Sequence, residues 1–257
     1  SADRMAAGAG FGALAKADEL KKRLWFTVGA LIIYRLGTYL PLPGIDPGAL
    51  ADIFSQQSSG ILGMFDMFSG GALGRMTIFA LNIMPYITAS IIMQLMTAIV
   101  PSLEALKKDG EAGRKMINQY TRYLTVLLAT VQGYGIAVGL ESASGVVDDP
   151  GLFFRVTTVV TLVGGTLFLM WLGEQITSRG VGNGISLIIF AGIVANLPTA
   201  LAGTLELGRT GALSSFLIVL LFVMAAAVIA FIVFIERSLR KILIQYPKRQ
   251  QGGKMLG

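Results

Sequence analysis

The sequence predicts an all-α integral membrane protein with about six transmembrane helices and one short non-spanning helix, re-entrant or surface-packed. Three observations lead there. Of the 257 residues 54% are hydrophobic and only 14% are charged, whereas a soluble domain carries about a quarter charged residues to hydrate its surface. Mean hydropathy is +0.69. The apolar residues are gathered in runs of roughly 20, the length at which a helix crosses about 30 Å of hydrocarbon.

Taken in order, the chain opens with a charged leader, residues 1–23. Within Phe11–Arg23, Leu14, Ala17 and Leu20 stand at helical spacing among charges. A helix lying in the interface and a solvated basic leader both fit that pattern. The first span, Leu24–Leu40, carries Arg35. An arginine deep in a helix costs roughly 2.5–3.5 kcal/mol on insertion scales, so its side chain is expected to snorkel or to face protein. No small-residue cleavage site follows, and the segment reads as a retained helix. Pro41 and Pro43 end it, because neither can donate the backbone bond that continues a helix.

The second span, Met76–Val100, contains Pro85, which is expected to kink it. Its Asn82, Thr88, Ser90 and Gln94 turn part of this helix toward protein or water. Spans three to six are Gln119–Leu140, Leu152–Gly173, Gly184–Gly203 and Ser214–Ile235, the last free of charge. Gly133, Gly135, Gly164, Gly165 and Gly192 are places where helix backbones can approach closely.

Between the first two spans, Gly60–Arg75 reads GILGMFDMFSGGALGR. Its apolar stretch, Ile61–Phe68, rises only about 12 Å as a helix and cannot cross a bilayer. Non-spanning backbone at membrane depth persists only inside protein or along an aqueous cavity. The segment is therefore either a short helix dipping into a cavity or a surface helix packed on loops, and composition leaves both open.

Orientation follows from the basic residues. The leader, the 101–118 loop (Lys107, Lys108, Arg114, Lys115), Arg179 and the tail (Arg237, Arg240, Lys241, Lys248, Arg249, Lys254) hold 16 of the 21. By the positive-inside rule that side, with the N-terminus, is cytoplasmic. The remaining five are Arg75 and Arg209 on the opposite side and Arg35, Arg122 and Arg155 within spans, these three read as near span ends or unpaired.

The sequence has no cysteine and no histidine, which excludes disulfides, the usual structural zinc sites and most acid–base chemistry near neutral pH. No nucleophile–base pair can be drawn, so an enzyme is not expected. Neither cofactor nor metal is implied. The Gly180-Val181-Gly182-Asn183-Gly184 run lacks the strand and the Lys-Ser/Thr of a phosphate loop and reads as a tight turn.

Seven blocks, in order, resemble the bacterial SecY family. They are Pro41-Leu42-Pro43-Gly44-Ile45-Asp46, Met64 to Leu73 (MFDMFSGGAL), Ile83 to Ile87 (IMPYI) and Gln119 to Tyr123 (QYTRY), followed by Trp171 to Thr177 (WLGEQIT), Gly182 to Ser186 (GNGIS) and Lys248 to Gly252 (KRQQG). The resemblance implies the central channel subunit of a protein translocase in the bacterial inner membrane, conducting unfolded polypeptides and releasing apolar segments sideways into lipid. It implies a plug formed by Gly60, Ile61, Leu62, Met64, Phe65, Met67, Phe68, Ser69, Gly70 and Gly71, and a pore ring of Ile83, Ile87, Ile185 and Ile189. Thr88, Ser90 and Gln94 would line the lateral gate. Lys107, Lys108, Lys248, Arg249 and Lys254 would meet the ribosome, including its RNA, or the SecA motor, although relatives often carry consecutive arginines where this chain has Gly253-Lys254. SecE, SecG, signal peptides, nascent chains and membrane lipids are the other implied partners.

The family has ten spans in two inverted halves. This sequence carries six, so residues 24–203 are expected to form the first half, and 204–257 the sixth span with the start of the loop after it. A solute transporter would place ionisable residues at the centres of facing spans. A purely structural subunit fits the composition but gives no reason for the short glycine-bounded helix.

Overall fold

The computed structural model describes residues 18–57, 60–238, 249–251 and 254–256. Two compact units, up to Pro198 and from Thr199 onward, are taken separately. The first begins with α1 (Asp18–Gly37), which has Asp18 and Glu19 in its first turn, where acidic side chains favour the helix dipole. Its buried stripe is Thr27, Ala30, Tyr34 and Gly37. Gly37 is required there because a Cβ would collide with the Phe79 ring. Then comes α2 (Pro47–Gln57), opened by the Asp46 carboxylate, which accepts from Gly48 N at 2.8 Å.

The short helix α3 covers Ile61–Ser69. After it come α4 (Met84–Ile99), α5 (Pro101–Lys108), α6 (Glu111–Ser142), α7 (Leu152–Arg179) and α8 (Gly184–Ala195). Asn183 caps α8, its side chain accepting from the backbone N–H groups of Ile185 and Ser186, the arrangement that makes Asn favourable at this position. A one-residue turn at Asn196 separates α8 from α9 (Leu197–Arg209). In the second unit α10 (Ser215–Glu236) starts at a Ser214 cap, and β1 (Arg249–Gln251) pairs antiparallel with β2 (Lys254–Leu256).

Among the described residues, four helical stretches are long and apolar enough to cross a membrane: α6, α7, the run Gly184–Arg209, and α10. A fifth exists if α4 and α5, bent by 99° at their junction, count as one. The element bounds differ from the sequence expectation in three places. The first predicted span forms a helix, but one that begins at Asp18 and stops at Gly37. Asp18, Glu19, Lys21, Lys22 and Arg23 charge its first half, leaving it short of a full apolar span. The second predicted span is not helical from Met76. Met76 and Asn82 hold positive φ, at 45° and 51°, and the chain from 76 to 83 is a series of turns. Pro85 then lies in the first helical turn, where its missing N–H costs nothing, so it starts α4 instead of kinking it. The loop expected at 101–118 is α5 and the beginning of α6.

Two apolar clusters organise the first unit. One gathers Leu42, Leu50, Met76, Leu81, Ala129, Ala137, Leu140, Val146, Phe154 and Leu162. It is laced by the irregular strand-like segment after α1: Leu42 N donates to Met76 O at 3.1 Å and Asp46 N to Val146 O at 2.9 Å. The other gathers Ala30, Tyr34, Ala72, Phe79, Ile83, Leu169, Leu172, Ile176 and Ile188, and α3 ends beside it.

Candidate functional site

Among the described residues, the side-chain hydrogen bonds that fasten the short helix α3 gather at its C-terminal end. At its N-terminus Gly60 offers no side-chain cap, and Ile61, Met64, Phe65, Met67 and Phe68 are all exposed. At its C-terminus three successive carbonyls are taken by side chains from other segments. Asn82 Nδ2 donates to Phe68 O at 3.0 Å, Tyr34 Oη to Ser69 O at 3.3 Å, and Arg35 Nη1 to Gly70 O at 2.7 Å. Arg75 Nη2 reaches the same Gly70 oxygen at 3.2 Å while its Nε bonds Thr38 O at 3.1 Å.

These contacts satisfy the carbonyls that a helix leaves unpaired at its end, and two guanidinium groups stand at the negative end of its dipole. Arg35 therefore faces protein, as its cost in lipid requires. Tyr39 lies between the two cations, its ring 5.2 Å from the Arg35 guanidinium carbon and 4.3 Å from that of Arg75. Gly70 and Gly71 turn the chain with φ of 66° and 83°, a conformation that glycine adopts without steric cost. From the other side α8 approaches closely: a Cβ on Gly192 would sit 2.7 Å from Phe68 O. Inside α3, Asp66 accepts from Gly74 N at 2.7 Å and folds the segment after the helix back onto it.

The four isoleucines belong to one apolar cluster. Ile83 is wholly buried in the second cluster, and Ile87, Ile185 and Ile189 pack against it half-buried. Ile83 is the residue before α4 and accepts from Ile87 N at 3.1 Å, so the pair sits on successive turns. Gly173 lets the start of α8 lie against α7, a Cβ there falling 3.0 Å from Ile185 Cγ1.

Thr88, Ser90 and Gln94 do not line one space. Thr88 borders a cavity of ≈ 490 Å³ together with Phe65, Ser69, Asn82, Gln132 and Ile136. Ser90 and Gln94 border a separate, more polar one of ≈ 520 Å³ with Lys107, Arg114 and Asn118. Lys108 pairs with Glu104 at 2.7 Å on the surface of α5. Arg249 and Lys254 fall on the two strands of the hairpin. Lys248, the Leu62 side chain and the leader before Asp18 lie outside the described residues.

Sequence reasoning missed the partners of two arginines. Arg122 is not unpaired: its Nη2 lies 2.7 and 2.8 Å from the two Glu174 oxygens. The pair borders a polar cavity of ≈ 330 Å³ shared with Tyr86, Asn118, Asn183 and Ile185. Arg155 is paired as well, with Glu141 at 2.7 Å. The available signal was a lone acid near the end of each long helix.

The SecY family model matches residues 77–256. The chain is 55% identical over 244 residues to a protein named "Protein translocase subunit SecY" from Rickettsia conorii, covering 93% of this chain and 56% of that one. It is 56% identical over 240 residues to the protein of the same name from Escherichia coli K12, covering 92% and 54%. Against that of Buchnera aphidicola the identity is 57% over 240 residues, covering 92% and 67%. The chain thus spans about half the length of most of the curated relatives it matches. Among solved structures it is similar to one titled "The structure of a protein conducting channel", with a TM-score of 0.51 at 20% identity, over 74% of this chain and 38% of that one. The same values hold for the Sec61 chain of a canine ribosome-channel complex from the endoplasmic reticulum. At that identity the likeness speaks for the fold.

Proposed function

The chain belongs to the SecY family, and on that premise we propose that it forms part of a channel through which unfolded polypeptides cross the membrane. The observation that carries the reading is α3. It is a helix too short to span, fastened at its C-terminal end beside Ile83, Ile87, Ile185 and Ile189, with its apolar face uncovered. In this reading α3 is the plug and the isoleucines belong to the constriction it closes. Apolar side chains suit a constriction because they dewet against ions and offer a sliding chain no polar contacts to hold it.

The polar and half-buried positions of α4, with Gln132 of α6, form one wall of a lateral gate. A signal helix leaves through it into lipid, driven by about 25 cal/mol per Å² of apolar surface. The basic loops face the cytoplasm of a bacterial cell, at its inner membrane. There the exposed Lys107, Lys108 and the tail residues meet a SecA motor or a translating ribosome, and SecE and SecG complete the assembly.

The test is site-specific crosslinking from a stalled secretory nascent chain to photoreactive probes at Ile83, Ile87 and Met67 in the whole protein. Crosslinks to Ile87 and Ile83 during transport, with Met67 displaced, are expected. Absence at all three positions would place the conduit elsewhere and return the chain to a structural or small-solute role.

A further inference from the structure

The long helices α6 and α7 are neighbours tied by two ion pairs, one at each end of the uncharged stretch they share. Arg122 of α6 holds Glu174 of α7, and Glu141 of α6 holds Arg155 of α7. The two helices carry opposite charges at matching ends of that stretch. Nineteen positions separate Arg122 from Glu141, and nineteen separate Arg155 from Glu174. Neither helix has a charged residue in the eighteen positions between. At 1.5 Å per residue the two pairs stand ~28 Å apart along the helices, against about 30 Å for a hydrocarbon core.

Local helix electrostatics does not explain these placements. Arg155 lies in the first turn of α7 and Glu141 in the last turn of α6, each at the end its own dipole disfavours. The neighbouring helix reverses the sign. The Glu141 carboxylate accepts from Gly151 N, the residue capping α7, at 2.9 Å, and from Arg155 Nε at 2.8 Å. Arg155 Nη1 also donates to Tyr134 Oη at 3.3 Å. Between the pairs the contact is apolar and close: a Cβ on Gly133 would lie 3.6 Å from Val159 Cα. Such a surface resists separation but resists sliding less, whereas an ion pair at each end fixes both directions of slide. Movement of one helix by a turn, about 5.4 Å, would break both pairs and draw charge toward hydrocarbon.

We propose that Arg122–Glu174 and Glu141–Arg155 form a two-point clamp that fixes the axial register of α6 on α7 and marks the two edges of the hydrocarbon layer. The clamp also positions the isoleucine helix. Thr177 Oγ1, three residues beyond Glu174, accepts from Gly184 N at 2.9 Å, so the register of α7 sets where α8 begins. The inference rests on the chain's spanning a membrane and is independent of polypeptide conduction, which the Ile87 crosslink tests separately.

The experiment uses single cysteines in the whole protein in membrane vesicles, these 257 residues having none. M116C and S144C lie just outside the two pairs, on opposite sides; L127C and V160C lie inside them on exposed faces. A water-soluble maleimide should label the outer two, each from its own side, and leave the inner two about tenfold slower until detergent is added. Labelling of L127C or V160C at the rate of M116C in intact vesicles would overturn the proposal. In the same backgrounds, R122E or E174R alone should shift the labelling pattern. The swap R122E/E174R, and likewise E141R/R155E, should restore it to within about twofold, as coupled neighbours do. Single reversals that leave the pattern unchanged, or swaps no better than single reversals, would equally overturn it. Should a reversal fail to accumulate, the labelling of the four cysteines in the unreversed protein decides.

Discussion

Arg35 Nη1 donates to the carbonyl oxygen of Gly70 at 2.7 Å, joining the last turn of one helix to the C-cap of another 35 residues later. This bond turns an arginine that is costly in a membrane into the fastening of α3. A hydrogen bond to a charged group contributes about 1.5–3 kcal/mol, and Arg75 shares the same acceptor.

Removing that fastening should loosen α3 without unfolding the chain. Arg35→Ala is expected to raise resting ion conductance and to expose the Gly60–Ser69 segment to protease. Arg35→Lys should recover part of the effect, since it keeps the charge but not the planar fork of donors. An unchanged conductance and cleavage pattern in Arg35→Ala would show that Tyr34, Asn82 and Arg75 hold the helix alone.

Gly192 gives a second, purely steric route to the same outcome. Its absent Cβ would meet Phe68 O at 2.7 Å and Tyr34 Oη at 3.1 Å. Gly192→Ala should displace α3 and cost about 1–3 kcal/mol, the usual range for overpacking. Gly164→Ala is the control, because nothing lies within 4 Å of its Cβ position. Conductance and thermal stability should change in the first variant and hold in the second.

The isoleucines should separate by burial. Ile83 is fully buried and Ile87 half-buried. Ile83→Gly should therefore lower stability by at least the ~2–5 kcal/mol of an Ile→Ala change as well as raise leak. Ile87→Gly should raise leak with a smaller loss of stability. Single-channel recording together with a denaturation midpoint reads the two effects apart, and an Ile87→Gly protein as tight as the parent would remove that residue from the constriction.

Deleting residues 61–68 while keeping Ser69–Arg75 should leave transport intact and impair sealing. The retained stretch preserves the Arg75 bond to Thr38 O and the buried Ala72. Complete loss of folded protein in this deletion would instead make α3 a packing element.

Much of the membrane architecture is legible in the sequence because hydrophobic density is a local property. A run such as Ser215–Glu236, which buries nothing within its own unit, declares itself by composition alone, since lipid is its solvent. The boundaries of α3 are legible for a similar reason: glycines stand on both sides of an apolar stretch too short to span. The second predicted span begins too early because residues 76–83 are mostly apolar too, and composition does not distinguish a helix from a buried series of turns. What decided 76–83 was Asn82 at φ 51°, donating to Phe68 O, a bond made across fourteen residues and invisible to periodicity.

The sequence by itself therefore determined that this chain crosses a membrane several times, where most of its apolar helices lie, and that a helix too short to span stands among them. Those are consequences of side-chain chemistry read along the chain. The tertiary structure alone decided which charges meet. Arg35 finds the Gly70 carbonyl, Arg122 finds Glu174, and Arg155 finds Glu141, because in hydrocarbon each polar group must find a partner within the protein. Which partner it finds depends on how helices distant in sequence are packed.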